Sequence, residues 1–240
     1  MVDLSVRNEY AFEVAPEGPA ALQYAWMFYQ LPYGIFAVAL ATAIFPELSS
    51  QADRRDWTAF KSTFSRGLRA TGVLVIPLAA LLIALSVPVI TLYRAGDFVT
   101  DDVPVVASVL TFWAAGLFSF AAYMYLLRSF YSIQDTTTPT ITNFAAVAMR
   151  VGLYAVLTVG IGAFVGLGLK GIPLADAIVY SLHFLLLLWI LRRRLGPLEG
   201  RATHWSLARL LVASVAGALV AWGLMEVLGG TTGSTAEFLV

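Results

Sequence analysis

Long apolar stretches without strict alternation recur along this chain. A helix needs roughly 20 apolar residues to cross a bilayer core about 30 Å thick. Six windows are long enough, at about residues 20–45, 70–93, 104–127, 140–165, 171–191 and 205–228. Backbone groups in hydrocarbon must be hydrogen-bonded within their own segment, which favours helices here over alternating barrel strands. The pattern therefore predicts an all-α, polytopic integral membrane protein with about six transmembrane helices.

The polar stretches complete this layout. Residues 1–19 contain charged residues and no apolar core, so they are predicted to be a polar lead-in and not a signal peptide. Residues 20–194 form the predicted bundle, 195–228 an additional transmembrane helix, and the Gly/Thr-rich residues 229–240 a flexible tail.

Within the bundle, residues 49–69 combine charges with aromatic and aliphatic side chains at helical spacing. These apolar positions are Trp57, Phe60, Phe64 and Leu68. The spacing predicts a short amphipathic helix at the inner membrane interface, with anchoring as its expected role and contact with a specific partner as the alternative.

Arginine and lysine predict the orientation, because these residues concentrate in cytoplasmic loops. If the first window runs from outside to inside, the cytoplasmic stretches hold eleven of them and the external loops hold only Arg94 and Lys170. The eleven are Arg54, Arg55, Lys61, Arg66, Arg69, Arg128, Arg192, Arg193, Arg194, Arg201 and Arg209.

The amino-acid composition excludes several classes of function. The chain is 59% hydrophobic and 12% charged, against about 25% charged in soluble domains, and its formal net charge is zero, so no basic field attracts nucleic acid. It has no cysteine and two histidines, which argues against a thiolate or zinc site. No P-loop, dinucleotide-binding glycine pattern, HExxH or GxSxG motif lies in its required context. We therefore expect no enzyme, cofactor or metal, but a transporter or a scaffold.

Arg150 is the most informative residue, because it lies inside an apolar window. A helix that begins near Pro139 places it about 16 Å into the membrane, and Asp176 lies about 7 Å in from the other side. Charges at such depth usually face a partner or a cavity. The sequence predicts an Arg150–Asp176 pair, which is either a structural staple or part of a transport cavity or coupling site. Gln30 is a further candidate for the substrate cavity or coupling site, and for a hydrogen bond between helices. His183 is interpreted as a hydrogen-bonded packing residue.

Proline and glycine interrupt several windows. Pro32 and Gly34 lie in the first, Pro77 and Pro88 in the second, and Gly116 in the third. They are predicted to be kinks or close-packing points, with bends of no functional role as the alternative.

Two stretches resemble a known family. The run AWMFYQLPYGIFAVALATAIFPELS, Ala25 to Ser49, and the run RSFYSIQDTTTPT, Arg128 to Thr140, are similar to the MviN/MurJ lipid II flippases of the multidrug/oligosaccharidyl-lipid/polysaccharide exporter superfamily. The resemblance covers residues 18–228. It implies the C-terminal lobe of a transporter that has two six-helix lobes and two further helices, so the N-terminal lobe is expected as a partner in the same or a separate chain.

The resemblance also implies a function: export of the undecaprenyl-linked peptidoglycan precursor by alternating access, in the bacterial cytoplasmic membrane among membrane lipids. The alternatives are an exporter of another lipid-linked oligosaccharide, a drug/cation antiporter of the superfamily, or a non-transporting scaffold or half-transporter. The resemblance places the cationic substrate-holding residues mostly in the N-terminal lobe, and the arginine that the family often has just before the LP-x-G motif is Met27 here. The substrate-anchoring chemistry is therefore expected to be largely absent from this chain.

Candidate residues follow from the same resemblance. Pro32 and Gly34 would bend a cavity-lining helix. Gln134, Asp135, Thr138 and Pro139 would shape a loop that moves during access switching, with a simple helix cap and turn as the alternative. Some members bind sodium at positions that fall on Arg150, Tyr154 and Asp176 here. Because arginine cannot ligate sodium, the guanidinium of Arg150 is predicted to replace the ion, with Asp176 as its counter-charge.

Overall fold

A computed structural model describes residues 2–92, 103–161, 164–198 and 200–227, with side chains over 4–92, 103–160, 166–198 and 205–223. The first half of the chain forms four helices. They are α1 (Val2–Val14), α2 (Gly18–Asp53), α3 (Trp57–Ala84) and α4 (Ser86–Leu92). The lead-in predicted at residues 1–19 thus contains the helix α1. The external loop around residues 93–102 lies outside the described residues.

The second half contains five helices. They are α5 (Val103–Ala115), α6 (Leu117–Ser132), α7 (Thr137–Val159), α8 (Gly168–Leu195) and α9 (Gly200–Val227). After α7, the two-residue strands β1 (Gly160–Ile161) and β2 (Phe164–Val165) pair antiparallel, with Gly160 opposite Val165. The predicted tail, 229–240, lies outside the described residues.

The described helices confirm the all-α membrane fold. Five of them, α2, α3, α7, α8 and the Trp205–Gly223 part of α9, are each long and apolar enough to cross a bilayer. The pair α5 and α6, bent by 49° between the two helices, is long and apolar enough together to make a sixth span if it crosses as one unit. Large apolar side chains remain exposed on the outside of the bundle, as at Phe144 (74%) and Val212 (70%). Hydrocarbon is the medium that accommodates such a surface.

The amphipathic segment predicted at residues 49–69 is not a separate helix. Its first residues end α2, and residues 57–69 are continuous with the span that follows in α3. The break lies at Arg55, which has a left-handed φ of 56°, and at Asp56, whose carboxylate accepts a hydrogen bond from the Ala59 N–H at 3.0 Å. Asp56 is therefore the N-cap of α3, and no cap or breaker follows it at residue 69.

Proline and glycine have different effects in the three predicted places. A π-helical segment, Tyr33–Val38, directly follows Pro32 within α2, as expected where proline removes a hydrogen bond. Pro77 lies inside α3, and Pro88 lies in the first turn of α4. The sharp bend occurs at Gly116, between α5 and α6.

The bent pair α5–α6 forms the centre of the bundle. It packs against α2, α3 and α8, and its side chains Trp113, Leu117, Tyr125 and Phe130 are almost fully buried. Helix α7 packs on α8, whereas α9 packs along α3 at the periphery. This arrangement brings α1, α2, α5, α7 and α8 together around one buried carboxylate.

Candidate functional site

Asp176 is the centre of a buried polar cluster. Its Oδ1 lies 3.3 Å from Arg150 Nε and accepts a hydrogen bond from the Tyr154 hydroxyl at 2.7 Å. Its Oδ2 accepts one from the indole N–H of Trp113 at 2.9 Å. Asp176 is 4% exposed and Arg150 is 7% exposed. Both carboxylate oxygens are thus bound by donors in a site removed from the surface.

Three helices position these groups. Arg150 and Tyr154 are four residues apart on α7 and therefore share one face. Asp176 lies in the second turn of the α-helical part of α8, which packs against α7, and Trp113 projects from α5 just before the bend. The structure brings together Arg150, Asp176 and Tyr154, the three residues that the sequence grouped.

Arg7 of α1 also belongs to this cluster, although sequence analysis placed it only in the polar lead-in. Its guanidinium carbon lies 5.9 Å from the ring centre of Trp26 and 5.7 Å from that of Trp113. The ring of Tyr10, one turn further along α1, lies edge-on to Tyr154 at 6.4 Å. The sequence held one signal for this contact, because positions 4, 7 and 11 fall on one face of a helix. In the structure, Ala11 on that face is fully buried.

A small cavity of about 160 Å³ opens beside Asp176. Its lining comprises Leu4, Arg7, Trp26, Arg150, Tyr154, Asp176 and Tyr180. The guanidinium carbon of Arg150 lies 4.7 Å from the ring centre of Tyr180. The cavity therefore has aromatic walls and three charged groups.

Gln30, Pro32 and Gly34 do not line this cavity. The Gln30 side chain is exposed and makes no hydrogen bond to another helix among the described residues. Its neighbour Tyr29 is the residue of that turn that packs inward, with its ring centre 6.0 Å from that of Trp113. Gly34 faces open space, and Pro32 is buried at the start of the π-helical segment. Gln30 therefore lies on the face of α2 that points away from the described bundle.

The predicted inner loop lies at the other end of α7. Gln134 has a left-handed φ of 60°, and Asp135 Oδ1 accepts a hydrogen bond from the Thr138 N–H at 2.9 Å. Arg194, in the last turn of α8, forms an ion pair with Asp135 and donates to the Thr138 hydroxyl at 2.7 Å. Pro139 occupies the first turn of α7. The loop therefore includes a helix cap tied to the neighbouring helix.

The pKa of Asp135 is lowered by this loop. Partial burial acts to raise it, but hydrogen bonds from Thr138 and the positive charge of Arg194 together outweigh that effect. The carboxylate is therefore held in its charged form.

His183 is a buried packing residue on α8. Its Nε2 lies 2.9 Å from the Thr142 hydroxyl of α7, and its ring centre lies 4.5 Å from that of Tyr123. Among the described residues, no group of three or more histidine, aspartate or glutamate side chains could hold a metal ion.

A larger groove of about 610 Å³ lies on another side of the bundle, between α3, α4, α5, α6 and α9. Most of its lining is apolar, with Ile76 and Phe118 on one side and Leu211 and Trp222 on the other. The charged cluster around Asp176 does not contribute to it.

Comparison with known proteins gives one consistent result. The family model described as "Lipid II flippase MurJ" matches residues 1–240. A probable lipid II flippase MurJ of Rhizobium tropici is 34% identical over 200 residues, which is 81% of this chain and 36% of that protein. One of Vibrio cholerae serotype O1 is 32% identical over 213 residues, 83% of this chain and 38% of that protein.

The fold agrees with a solved structure. A chain titled "Lipid II flippase MurJ, inward closed conformation" superposes with a TM-score of 0.74 and 25% identity, covering 99% of this chain and 48% of that one. The present chain thus spans between about a third and two fifths of the length of the relatives above.

Proposed function

This chain belongs to the MurJ family of lipid II flippases, and on that premise we propose that it forms the C-terminal lobe of a transporter that moves a lipid-linked peptidoglycan precursor across the bacterial cytoplasmic membrane. The observation that carries this proposal is the similarity in fold over 99% of the chain to a lipid II flippase. The lobe acts as a moving body and not as an enzyme, since no covalent bond of the precursor is made or broken by flipping.

Transport by this mechanism requires a second lobe. In alternating access, one helical bundle rocks against another around a site near the bilayer midplane. The chain matches 48% of the solved flippase, so its N-terminal counterpart, in the same or a separate chain, is its principal partner. Membrane lipids and the undecaprenyl-linked precursor are the others.

We propose that the guanidinium of Arg150 takes the place of a bound sodium ion within this lobe. Its guanidinium lies 3.3 Å from Asp176, where the family resemblance places sodium ligands, and it supplies the positive charge there. Tyr154 and Trp113 complete the bonding of the carboxylate. The transporter that contains this lobe is therefore expected to work without sodium.

The gating roles are assigned to two regions. The π-helical turn after Pro32 and the open space beside Gly34 support a bend that changes during transport. The turn from Gln134 to Pro139, tied to α8 through Arg194, supports coupled movement of α7 and α8.

Complementation tests the function. The chain together with its N-terminal lobe is expressed in bacteria depleted of their own lipid II flippase, and growth and the appearance of precursor on the outer face of the membrane are measured. Rescue of both supports the proposal. Failure of export at normal membrane expression contradicts it, and rescue of a different lipid-linked glycan pathway would indicate a related exporter.

Sodium dependence is tested separately in vesicles that contain the two-lobe protein. Export is expected to be unchanged when sodium is replaced by potassium or choline. A strict need for sodium would overturn the role assigned to Arg150.

A further inference from the structure

We propose that His183 is a positioning residue, which donates a hydrogen bond to Thr142 and thereby fixes the register of α8 against α7. The two helices then carry movement between the Asp176 cluster and the inner turn as one body. The register follows from contacts within this chain, whereas its use in transport rests on the proposed function.

Polar contacts join α7 and α8 at three described levels. They are Arg150–Asp176, Thr142–His183 and Asp135–Arg194. Residue numbers fall along α7 as they rise along α8, so the two helices run antiparallel. On α8, Asp176 and His183 are seven residues apart, which places them two turns apart on one face. His183 therefore makes the middle contact of a row that begins at the ion pair and ends at the inner turn.

The direction of the middle hydrogen bond follows from the partners of Thr142. Its hydroxyl oxygen lies 3.0 Å from the Thr138 carbonyl and 3.1 Å from the Pro139 carbonyl. A carbonyl only accepts, and a hydroxyl has a single proton to donate. Thr142 therefore donates to the first turn of α7 and accepts from His183, whose Nε2 lies 2.9 Å away. The proton of this contact is on Nε2.

Burial explains why one such bond can set the register. The neighbouring contact surface is apolar, with Leu187 and Leu191 fully buried on α8 and Ala146 buried on α7. Apolar packing is not directional, but a buried N–H without an acceptor is costly. His183 is 3% exposed, and a slip that brought Ala146 opposite it would remove its acceptor. A single buried polar contact can in this way select one register of two packed helices.

Ring contacts connect His183 to the ion pair as well. Its ring centre lies 4.5 Å from that of Tyr123 on α6, and Tyr123 lies 5.7 Å from Tyr180. The guanidinium carbon of Arg150 lies 4.7 Å from the Tyr180 ring centre. His183 is thus held from the α6 side by the same aromatic rings that pack on the Asp176 cluster.

The distance between two spin labels gives the direct test. The chain has no cysteine, so labels are attached at Val159→Cys on α7 and Leu185→Cys on α8, both exposed positions, in the full chain in lipid nanodiscs. One distance is expected without a further change. Thr142→Val, which removes the hydroxyl, is expected to add a population displaced by about 5 Å, one helical turn. A single unchanged distance in Thr142→Val overturns the proposal.

Two changes at His183 separate the hydrogen bond from the shape of the ring. His183→Gln retains an amide N–H that can donate and should keep the single distance. His183→Leu leaves no donor and should show the displaced population, which also provides the measurement if Thr142→Val does not fold. Displaced populations of equal size in both would show that the ring and not the bond sets the register, and would overturn the proposal.

Ser181→Ala is the matched control on the same helix. It removes a hydrogen bond of 2.8 Å between Ser181 and Ser119 of α6, and leaves the contacts with α7 in place. The single distance should remain. A displaced population there as large as in Thr142→Val would show that loss of any interhelical hydrogen bond loosens the bundle, which contradicts a specific role of His183.

Nitrogen NMR of labelled histidine checks the direction of the bond. His204 is the other histidine of the chain, so the His204→Gln variant gives the signal of His183 alone. A protonated Nε2 is expected. An Nε2 without a proton would mean that Thr142 donates to His183, and would overturn the assignment.

Export separates the register from its use. In the two-lobe protein, Thr142→Val is expected to lower precursor export at normal membrane expression. Normal export together with a displaced population would overturn movement as one body. Absence of export in the unaltered two-lobe protein would instead contradict the proposed function, and the distance measurements would still decide the register.

Discussion

At the scale of single residues, the contact between Arg150 and Asp176 dominates the interior. Burying two charges is expensive, and their attraction repays that cost only when the remaining polar atoms are also bonded. The hydroxyl of Tyr154 and the indole of Trp113 provide those bonds on the carboxylate side. The pair is therefore expected to be far more sensitive to loss of one partner than to loss of both.

Asp176→Asn tests this asymmetry. The change removes the negative charge that lies 3.3 Å from Arg150 Nε and is expected to destabilise the chain by about 3 kcal/mol. The double variant Arg150→Met with Asp176→Leu should recover much of the loss. Thermal and denaturant unfolding in detergent measure both. If the double variant is as unstable as the single one, the ion pair does not account for the effect.

The sequence could predict this pair but not its full surroundings. Arg150 and Asp176 are charges inside apolar windows, so depth along two antiparallel helices was enough to match them. Arg7 could not be assigned in the same way, since a charged residue in a polar segment carries no such signal. Trp113 lies 63 residues from Asp176 in the sequence, and only the bend at Gly116 and the packing of α5 on α8 bring them together.

At the scale of helices, caps and close contacts decide where elements end and how they meet. The sequence suggested a separate amphipathic helix before the second span, yet α3 runs through both from its cap at Asp56. Trp57, Phe60, Phe64 and Leu68 continue the same helical spacing that the span uses. Periodicity alone could not reveal the boundary, because the break depends on the left-handed Arg55 and the capping carboxylate.

The turn before α7 is expected to make stability depend on pH. The pKa of Asp135 is lowered in the folded chain. Its charged carboxylate therefore contributes to the free energy of unfolding above the unfolded-state pKa of about 3.9, and this contribution is lost as pH falls through the lower pKa of the folded state. Asp135→Asn keeps a capping oxygen but removes the charge that pairs with Arg194.

We therefore expect Asp135→Asn to be less stable than the unaltered chain by up to about 1 kcal/mol at neutral pH, with the difference shrinking below about pH 4. Tm measured for both proteins across this range checks the prediction. A difference that grows as pH falls would contradict it.

The meeting of α5, α6 and α8 depends on a glycine. A Cβ added at Gly116 would lie 2.6 Å from the Cβ of Ala177 on α8. Gly116→Ala is expected to destabilise the chain by about 1–3 kcal/mol through overpacking.

Gly152→Ala is the matched control, because an added Cβ there meets no atom within 4 Å. It should be neutral or stabilising by up to about 1 kcal/mol, as alanine favours helix over glycine. Unfolding in detergent compares the two, and equal effects would show that the contact with Ala177 is not limiting.

At the scale of the whole molecule, an ion pair and hydrogen bonds between side chains connect neighbouring helices at the end that is predicted to face the cytoplasm. Arg194 contacts Asp135, Arg128 contacts Thr42, and Gln51 donates to Thr63 at 3.0 Å. The same end holds most of the arginines on which the predicted orientation rests.

Single cysteines test the orientation, since the chain contains none of its own. A membrane-impermeant maleimide is expected to label Arg55→Cys and Arg193→Cys only in inverted vesicles and Lys170→Cys only from outside intact cells. Labelling of all three from one side would contradict the predicted topology.

Because α9 lies at the periphery, the other described helices are expected to fold without it. No described side chain of α9 belongs to the continuous hydrophobic core, which extends from Ala11 to Leu198. A chain shortened to end at Leu198 is therefore expected to retain cooperative unfolding in detergent while losing one wall of the 610 Å³ groove. Circular dichroism with heating measures this, and a non-cooperative transition would show that the last helix is indispensable to the other eight described ones.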